Sequence, residues 1–515
     1  MAPTHVLRAD LATVWSEPTG GKPLRTVAMG HPLDVKATTD KHVEVRLWRY
    51  VDTPDGGRPT IGPGYIRLPR GVTAERAITP VDQNRVLRFD FIDVQQGDAA
   101  VMETPAGLSV LFDGGESQLF ARHLARRYPR TSESKPKSIE AIVVSHGDAD
   151  HFTGLAIMQE TEAKETDWRR LVLQPQRILH NGLVKRPSTR NGKRRPDSQM
   201  LGATVTTPAG PVIVGLEEDL LAVPGTEMNR PFQRWRRAIQ GWAQRAPVEM
   251  RRLAFGVDDA FDFLAPEGIE VEVLGPIETL LEDDRPGLAF FRRPPPRPRI
   301  DVDSIAEEAM GPRGSLSASH TINGHSLVLR IRYGNVRFLL SGDLNEEAAE
   351  LLHDYIPDRL QAEVLKVPHH GSADFSASFI GAVSPVVSVV SSGDESAMKE
   401  YIHPRATLMA SLGKLSRVTE PVIFVTELAA FYGTVGYVTP EGHLVDGSGQ
   451  LITDPKARQA FFAFNRLASG AIRVRTDGHR LLVYTDSALA HVKEAYAYEV
   501  EADHAVRPVP VLQLR

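Results

Sequence analysis

Ile139–Leu155, IEAIVVSHGDADHFTGL, is the stretch that decides how this chain is read. Ile139–Val144 is a run of β-formers, and Ser145 ends it. Four potential ligands then fall within six residues: His146, Asp148, Asp150 and His151. A rigid strand that delivers a loop is a good place for such groups, because the strand positions what the loop folds around. Neutral imidazole and carboxylate both suit zinc, manganese or iron. One ion cannot easily use four donors from so short a segment, whereas two adjacent ions can, so the segment predicts a two-metal site. The plainer alternative is a polar loop whose acids cap the helix that follows. Against it, acids and imidazoles at this density are costly unless solvated or bound to metal.

The same pattern recurs downstream. In Phe338–Leu344, FLLSGDL, an apolar strand ends with Asp343 after a glycine, where an acid can bridge two ions or cap the helix expected over Glu346–Tyr355. In Leu365–Ser372, LKVPHHGS, a strand delivers His369 and His370. Adjacent side chains point apart, so one of the pair is expected to bind metal while the other serves substrate or the surrounding shell. Asp113 ends the strand before Gly114-Gly115 and either orients a ligand or makes an Asp-Gly turn. His403-Pro404-Arg405 offers a proton donor and a phosphate contact, or an ordinary loop.

Around these clusters, 515 residues at roughly 100–200 per domain imply two or three domains. A net charge of −5 argues against a wholly basic coat protein and leaves room for a local basic groove. With no cysteine, any metal must be held by His, Asp or Glu. No basic stretch followed by an apolar run opens the chain, and no window approaches the length of a membrane helix, so a cytoplasmic protein without a membrane partner is expected.

Residues 1–80 read as a small all-β module, with turn signals at Glu17–Pro23, Thr38–Lys41 and Thr53–Pro59; Gly64-Tyr65-Ile66 resembles the end of bacterial SH3-like domains. Residues 86–415 alternate strands and helices, an α/β layered pattern. Two basic stretches interrupt it and read as loops: Arg177–Asp197 and Arg292–Arg299, RRPPPRPR. Residues 416–515 return to β signals and complete or extend the layered domain, with a hairpin at Asp477-Gly478.

Phe91–Ala99 (FIDVQQGDA), Leu111–Gly115 (LFDGG), Ser145–Leu155, Leu339–Leu344 and Leu365–Ser372 together resemble the metallo-β-lactamase superfamily, above all the hydrolase domain of bacterial competence (DNA-uptake) channel proteins. The resemblance runs from residue 86 to about 410. It implies an αββα sandwich carrying two divalent ions, zinc or manganese, at one edge of its sheets. It implies that His146 and Asp148 hold the first ion, and that Asp150 and His151, helped by His369 or His370, hold the second. Asp343 would bridge, and Asp113 would support from behind. Asp148 stands where many members have His, which makes the first site harder. The separate His usual between the second motif and the bridging acid is best matched by His325.

The function expected is metal-assisted cleavage of a phosphoester, as a nuclease or phosphodiesterase acting on DNA, RNA or a nucleotide. Asp150 anchors the reaction, Lys366, Arg405 and the basic loops hold phosphate oxygens, and His370 or His403 protonates the leaving oxygen. Two other classes compete. One is hydrolysis of a lactone, lactam or thioester by the same site. The other is a non-catalytic sensor or assembly component that recruits a protein partner through the SH3-like module.

Overall fold

The computed structural model describes residues 3–51, 58–166, 169–293, 314–393, 403–427, 435–438, 443–446, 450–451, 453, 462–464, 470–485 and 493–515. Most of the proline-arginine stretch, from residue 294, lies outside the described residues.

Two sheets pack face to face. In the first, the strands Glu249–Arg252, Arg177–His180, Ala141–Val143, Ser109–Asp113, Ala99–Glu103, Leu87–Phe91, Ile472–Thr476, Arg480–Thr485, Ala495–Val500 and Val506–Val509 lie in that order. In the second, the order is Ile269–Gly275, Val328–Tyr333, Val336–Leu340, Val364–Lys366, Val387–Val390 and Val422–Val425. Side chains alternate across each strand, so Leu87, Phe89 and Phe91 turn inward to the shared core with Phe112 and Phe338. Phe89 stacks on those three other phenylalanines at ring separations of 4.9–5.4 Å.

The intervening residues of the same strand, Arg88 and Asp90, face the helix layer and are joined there into a buried charge network. Arg127 pairs with Asp90 and Glu103, Arg88 with Glu103, and Arg473 and Arg475 with Asp90. Burial alone would raise the Asp90 carboxyl, but Arg475, Arg473 and Arg127 together hold it well below the usual carboxylate range.

The helices Leu119–Arg127, Ala149–Glu160 and Arg230–Arg245 cover the outer face of the first sheet. Glu346–Tyr355, Ala377–Val383 and Ala406–Lys414 cover the second. The chain is therefore an α/β protein with the expected αββα layering. Where strands run parallel they read as unbroken apolar runs, such as Val110-Leu111-Phe112 and Ala141-Ile142-Val143, because both faces are covered.

Arg177–His180 corrects the reading of its stretch as loop: Ile178 and Leu179 are buried in a strand parallel to Ala141–Val143. Of the basic residues that follow, Arg186 pairs with Glu217, while Arg190, Lys193 and Arg194 stand exposed on a short hairpin.

Among the described residues from 5 to 80, the strands form one sheet in the order Pro23–Ala28, Leu11–Trp15, Arg58–Arg67, His42–Val51, Pro32–Thr38, His5–Leu7 and Ile78–Pro80, with a single short helix, Ala74–Ala77, ahead of the last strand, an arrangement compatible with the SH3-like expectation. The C-terminal strands complete the first sheet beside Leu87–Phe91, turning at Asp477-Gly478, where Gly478 takes φ +95°. Val422–Val425, beyond residue 415, is the edge strand of the second sheet.

Candidate metal centre

The parallel strands of both sheets deliver their C-terminal ends to one edge. From the first sheet come Asp113 and Ser145–His151; from the second come Asp343, His369–His370 and Ser391. This confluence is where α/β sheets characteristically place a site.

Four of the expected residues converge. Asp150, His151, Asp343 and His370 each offer one ligand atom, all within 4.8 Å of one another. His151 Nε2 lies 3.3 Å from Asp343 Oδ1, and His370 Nε2 lies 3.1 Å from Asp343 Oδ2 and 3.4 Å from Asp150 Oδ2.

The other ring nitrogens explain the orientation. His151 Nδ1 donates to Asp113 Oδ2 at 3.0 Å, and His370 Nδ1 donates to the Ser391 carbonyl at 3.1 Å. Each imidazole therefore turns its Nε2 toward the centre, the orientation that second-sphere partners give to metal-binding histidines. Asp113 also accepts hydrogen bonds from the backbone and hydroxyl of Ser145, both at 2.7 Å, and holds φ +54°, a backbone state Asp tolerates better than most residues.

Between His369 and His370, the structure selects His370. Both residues take positive φ, 49° and 53°, and this double left-handed turn drives His370 inward while His369 packs toward His403, ring centroids 6.3 Å apart. Burial, with His370 and His369 beside it, holds His403 down at about 3. Burial would also lower His151 and His370, but the surrounding carboxylates, Asp343 foremost, raise both well above the ordinary histidine value. The carboxylates of Asp98, Asp113 and Asp343 are buried beside that of Asp150 with only His151, His370 and the Lys366 ammonium to balance them, an excess of negative charge that suits a cation site. The polar atoms agree, because His146 Nε2, His151 Nε2, His370 Nε2 and Asp343 Oδ1 are buried without a hydrogen-bond partner. The donor set therefore fits a divalent metal.

Not every expected ligand joins. His146 is close, its Nε2 4.0 Å from Asp343 Oδ2. Asp148 turns away and pairs with Lys185 at 2.7 Å. His325 is corrected: its Nε2 donates to the Ala289 carbonyl at 2.7 Å and its ring stacks on Phe291, so it does not complete a first ion's shell. Burial lowers it to about 4, which keeps it neutral in that role. Lys366 is corrected too. Its buried ammonium is taken up by Asp98 and the Gly342 carbonyl and is not placed to grip a substrate phosphate. The alternative reading of Asp343 as a helix cap also falls, because Asn345 caps Glu346–Tyr355 by accepting from the Ala348 amide.

Sequence reasoning missed the Gln96-Gly97-Asp98 turn. Gln96 donates to Asp150 at 3.2 Å, and Asp98 pairs with Lys366 and lies 3.5 Å from His370 Nδ1. At Gly97, φ is +96° and a Cβ would sit 1.8 Å from the Asp150 carbonyl, so only glycine allows the turn to seat. The signal is present, since this turn lies within FIDVQQGDA, one of the stretches that carry the family resemblance, but no site role attaches to Asp98 from the sequence.

Fold and site define a class. Residues 109–208 match the Beta-lactamase superfamily domain, and residues 257–393 match the Metallo-beta-lactamase superfamily. These matches fall on the two halves of one sandwich, and the chain carries a metallo-β-lactamase superfamily domain.

Among curated proteins it is similar to "Competence protein ComA" of Neisseria gonorrhoeae, 41% identical over 16% of this chain and 12% of that protein. It is also similar to "ComE operon protein 3" of Bacillus subtilis (strain 168), 33% identical over 23% of this chain and 14% of that one. The aligned stretches are therefore a small part of either relative. Among solved structures, a mutant of CmlA beta-hydroxylase is similar over 70% of this chain and 56% of its own, at 12% identity and a TM-score of 0.29, too low to carry an argument. Among the described residues, no helix is long and apolar enough to cross a membrane.

Proposed function

We propose that this protein is a divalent-metal-dependent hydrolase, using zinc or manganese, that cleaves a phosphodiester in a nucleic acid or nucleotide. The observation that carries the reading is the convergence of Asp150, His151, Asp343 and His370 on one point at the strand tips. A bound divalent ion there would polarise a phosphoryl oxygen and make water a nucleophile near neutral pH.

The chain's own residues supply the rest. Asp113 and the Ser391 carbonyl fix His151 and His370 so that each presents its Nε2. Lys366 neutralises Asp98 beneath the site. His369 lies beside His370 without joining its group, and we assign it to the leaving oxygen; His403, held neutral next to it, positions His369 rather than giving up a proton itself. The exposed Arg190, Lys193 and Arg194 hairpin follows Lys185 in the chain and offers charge to a phosphate backbone. The resemblance of the motif stretches to the hydrolase domain of DNA-uptake channel proteins supports a nucleic-acid substrate over a lactam, lactone or thioester.

The test compares manganese- and zinc-loaded protein on bis(p-nitrophenyl) phosphate, labelled DNA and RNA, and nitrocefin. Phosphodiester cleavage that falls at least about 100-fold in Asp150→Ala is expected. Turnover of nitrocefin alone would move the assignment to carbonyl chemistry. No turnover of any substrate by fully loaded protein would favour a sensor role.

A further inference from the structure

Lys185 lies on the loop that follows Arg177–His180, a segment that reads as solvated basic chain. Its ammonium instead enters the site. Nζ bonds Asp148 Oδ1 at 2.7 Å and Ser319 Oγ at 3.2 Å. The second oxygen of the same carboxylate is also taken: Asn323, with its amide oriented to donate, lies 3.0 Å from Asp148 Oδ2. Both oxygens of a residue expected to hold the first ion are thus occupied by donors of this chain.

The remaining donors for that ion are few. His325 is bonded to the Ala289 carbonyl and stacked on Phe291. His146 and a share of Asp343 are left, and catalytic zinc sites take three protein ligands. The group of Asp150, His151, Asp343 and His370, by contrast, has its full set.

We infer that this site holds one tightly bound divalent ion, and that Lys185, paired with Asp148, stands in the place of a second. The inference rests on the metal-hydrolase reading and narrows it. Lysine suits the part: its ammonium is a compact point charge on a flexible stem, and it supplies positive charge beside the ion without needing ligands of its own. The two-ion arrangement expected from the density of ligands in His146–His151 then reduces to one, because the density is shared with a cation the protein provides.

The test counts ions. Full-length protein is stripped with chelator, loaded with excess Mn²⁺, desalted, and measured by elemental analysis and electron paramagnetic resonance. The expected result is one ion per chain with the spectrum of isolated Mn²⁺. In Lys185→Ala, which frees Asp148, the count should rise toward two and the spectrum should show exchange coupling. Two tight, coupled ions in the unaltered protein would overturn the inference while leaving the hydrolase reading intact. A single ion in folded Lys185→Ala would overturn the role given to Lys185. No tight ion in the unaltered protein would overturn the metal-hydrolase reading itself.

Discussion

Asp113 supports the site without belonging to its ligand group. Its carboxylate accepts from the Ser145 backbone, the Ser145 hydroxyl and His151 Nδ1, tying the ligand loop to the end of the neighbouring strand. Removing it should weaken metal binding by roughly 10–100-fold, the usual effect of losing such a partner. Titration calorimetry of Mn²⁺ into Asp113→Ala checks this, and unchanged affinity would mean that His151 is oriented by other means. At this scale the sequence was legible where ligands sit together along the chain. Asp150, His151 and Asp343 stand in recognisable strand-end motifs. It was not legible where tertiary approach decides. The choice of His370 over His369 depends on two positive φ values, the role of Asp98 on a glycine contact with the Asp150 backbone, and the diversion of Asp148 on a lysine 37 residues away.

The elements follow the periodicity of the sequence closely. Glu346–Tyr355 is the helix its pattern predicts, and the inward phenylalanines of Leu87–Phe91 alternate as a strand requires. Composition misled at Arg177–His180, where flanking arginines and lysines masked a short buried strand. Basic content says nothing about Ile178 and Leu179, which parallel neighbours cover on both sides. The other side of Leu87–Phe91 carries a testable consequence. Asp90 is fully buried and neutralises arginines from Leu119–Arg127 and Ile472–Thr476, so it joins a helix to the C-terminal part of the sheet. Asp90→Ala leaves those cations buried and under-compensated, and should destabilise the protein by about 3–5 kcal/mol. Urea unfolding measures it. A loss below about 1 kcal/mol would show that the network contributes little.

At the scale of the whole molecule, chain ends meet. Gln513–Leu514 adds a parallel strand to Leu11–Trp15 of the N-terminal module. Arg480 grips Asp10 through two hydrogen bonds, and the Leu512 amide donates to the same carboxylate at 2.7 Å. Leu11, Met29, Val86, Leu482 and Tyr484 pack this junction. The N-terminal module is thus fastened to the first sheet, and at one edge of the sandwich the strand tips of both sheets gather acids and imidazoles around a common point.

The most direct measurement is the anomalous scattering of a manganese-soaked crystal. A peak is expected within roughly 2.0–2.2 Å of donor atoms from Asp150, His151, Asp343 and His370 together. A fully soaked crystal with no peak there, or with manganese bound only elsewhere, would contradict a metal centre at these strand tips.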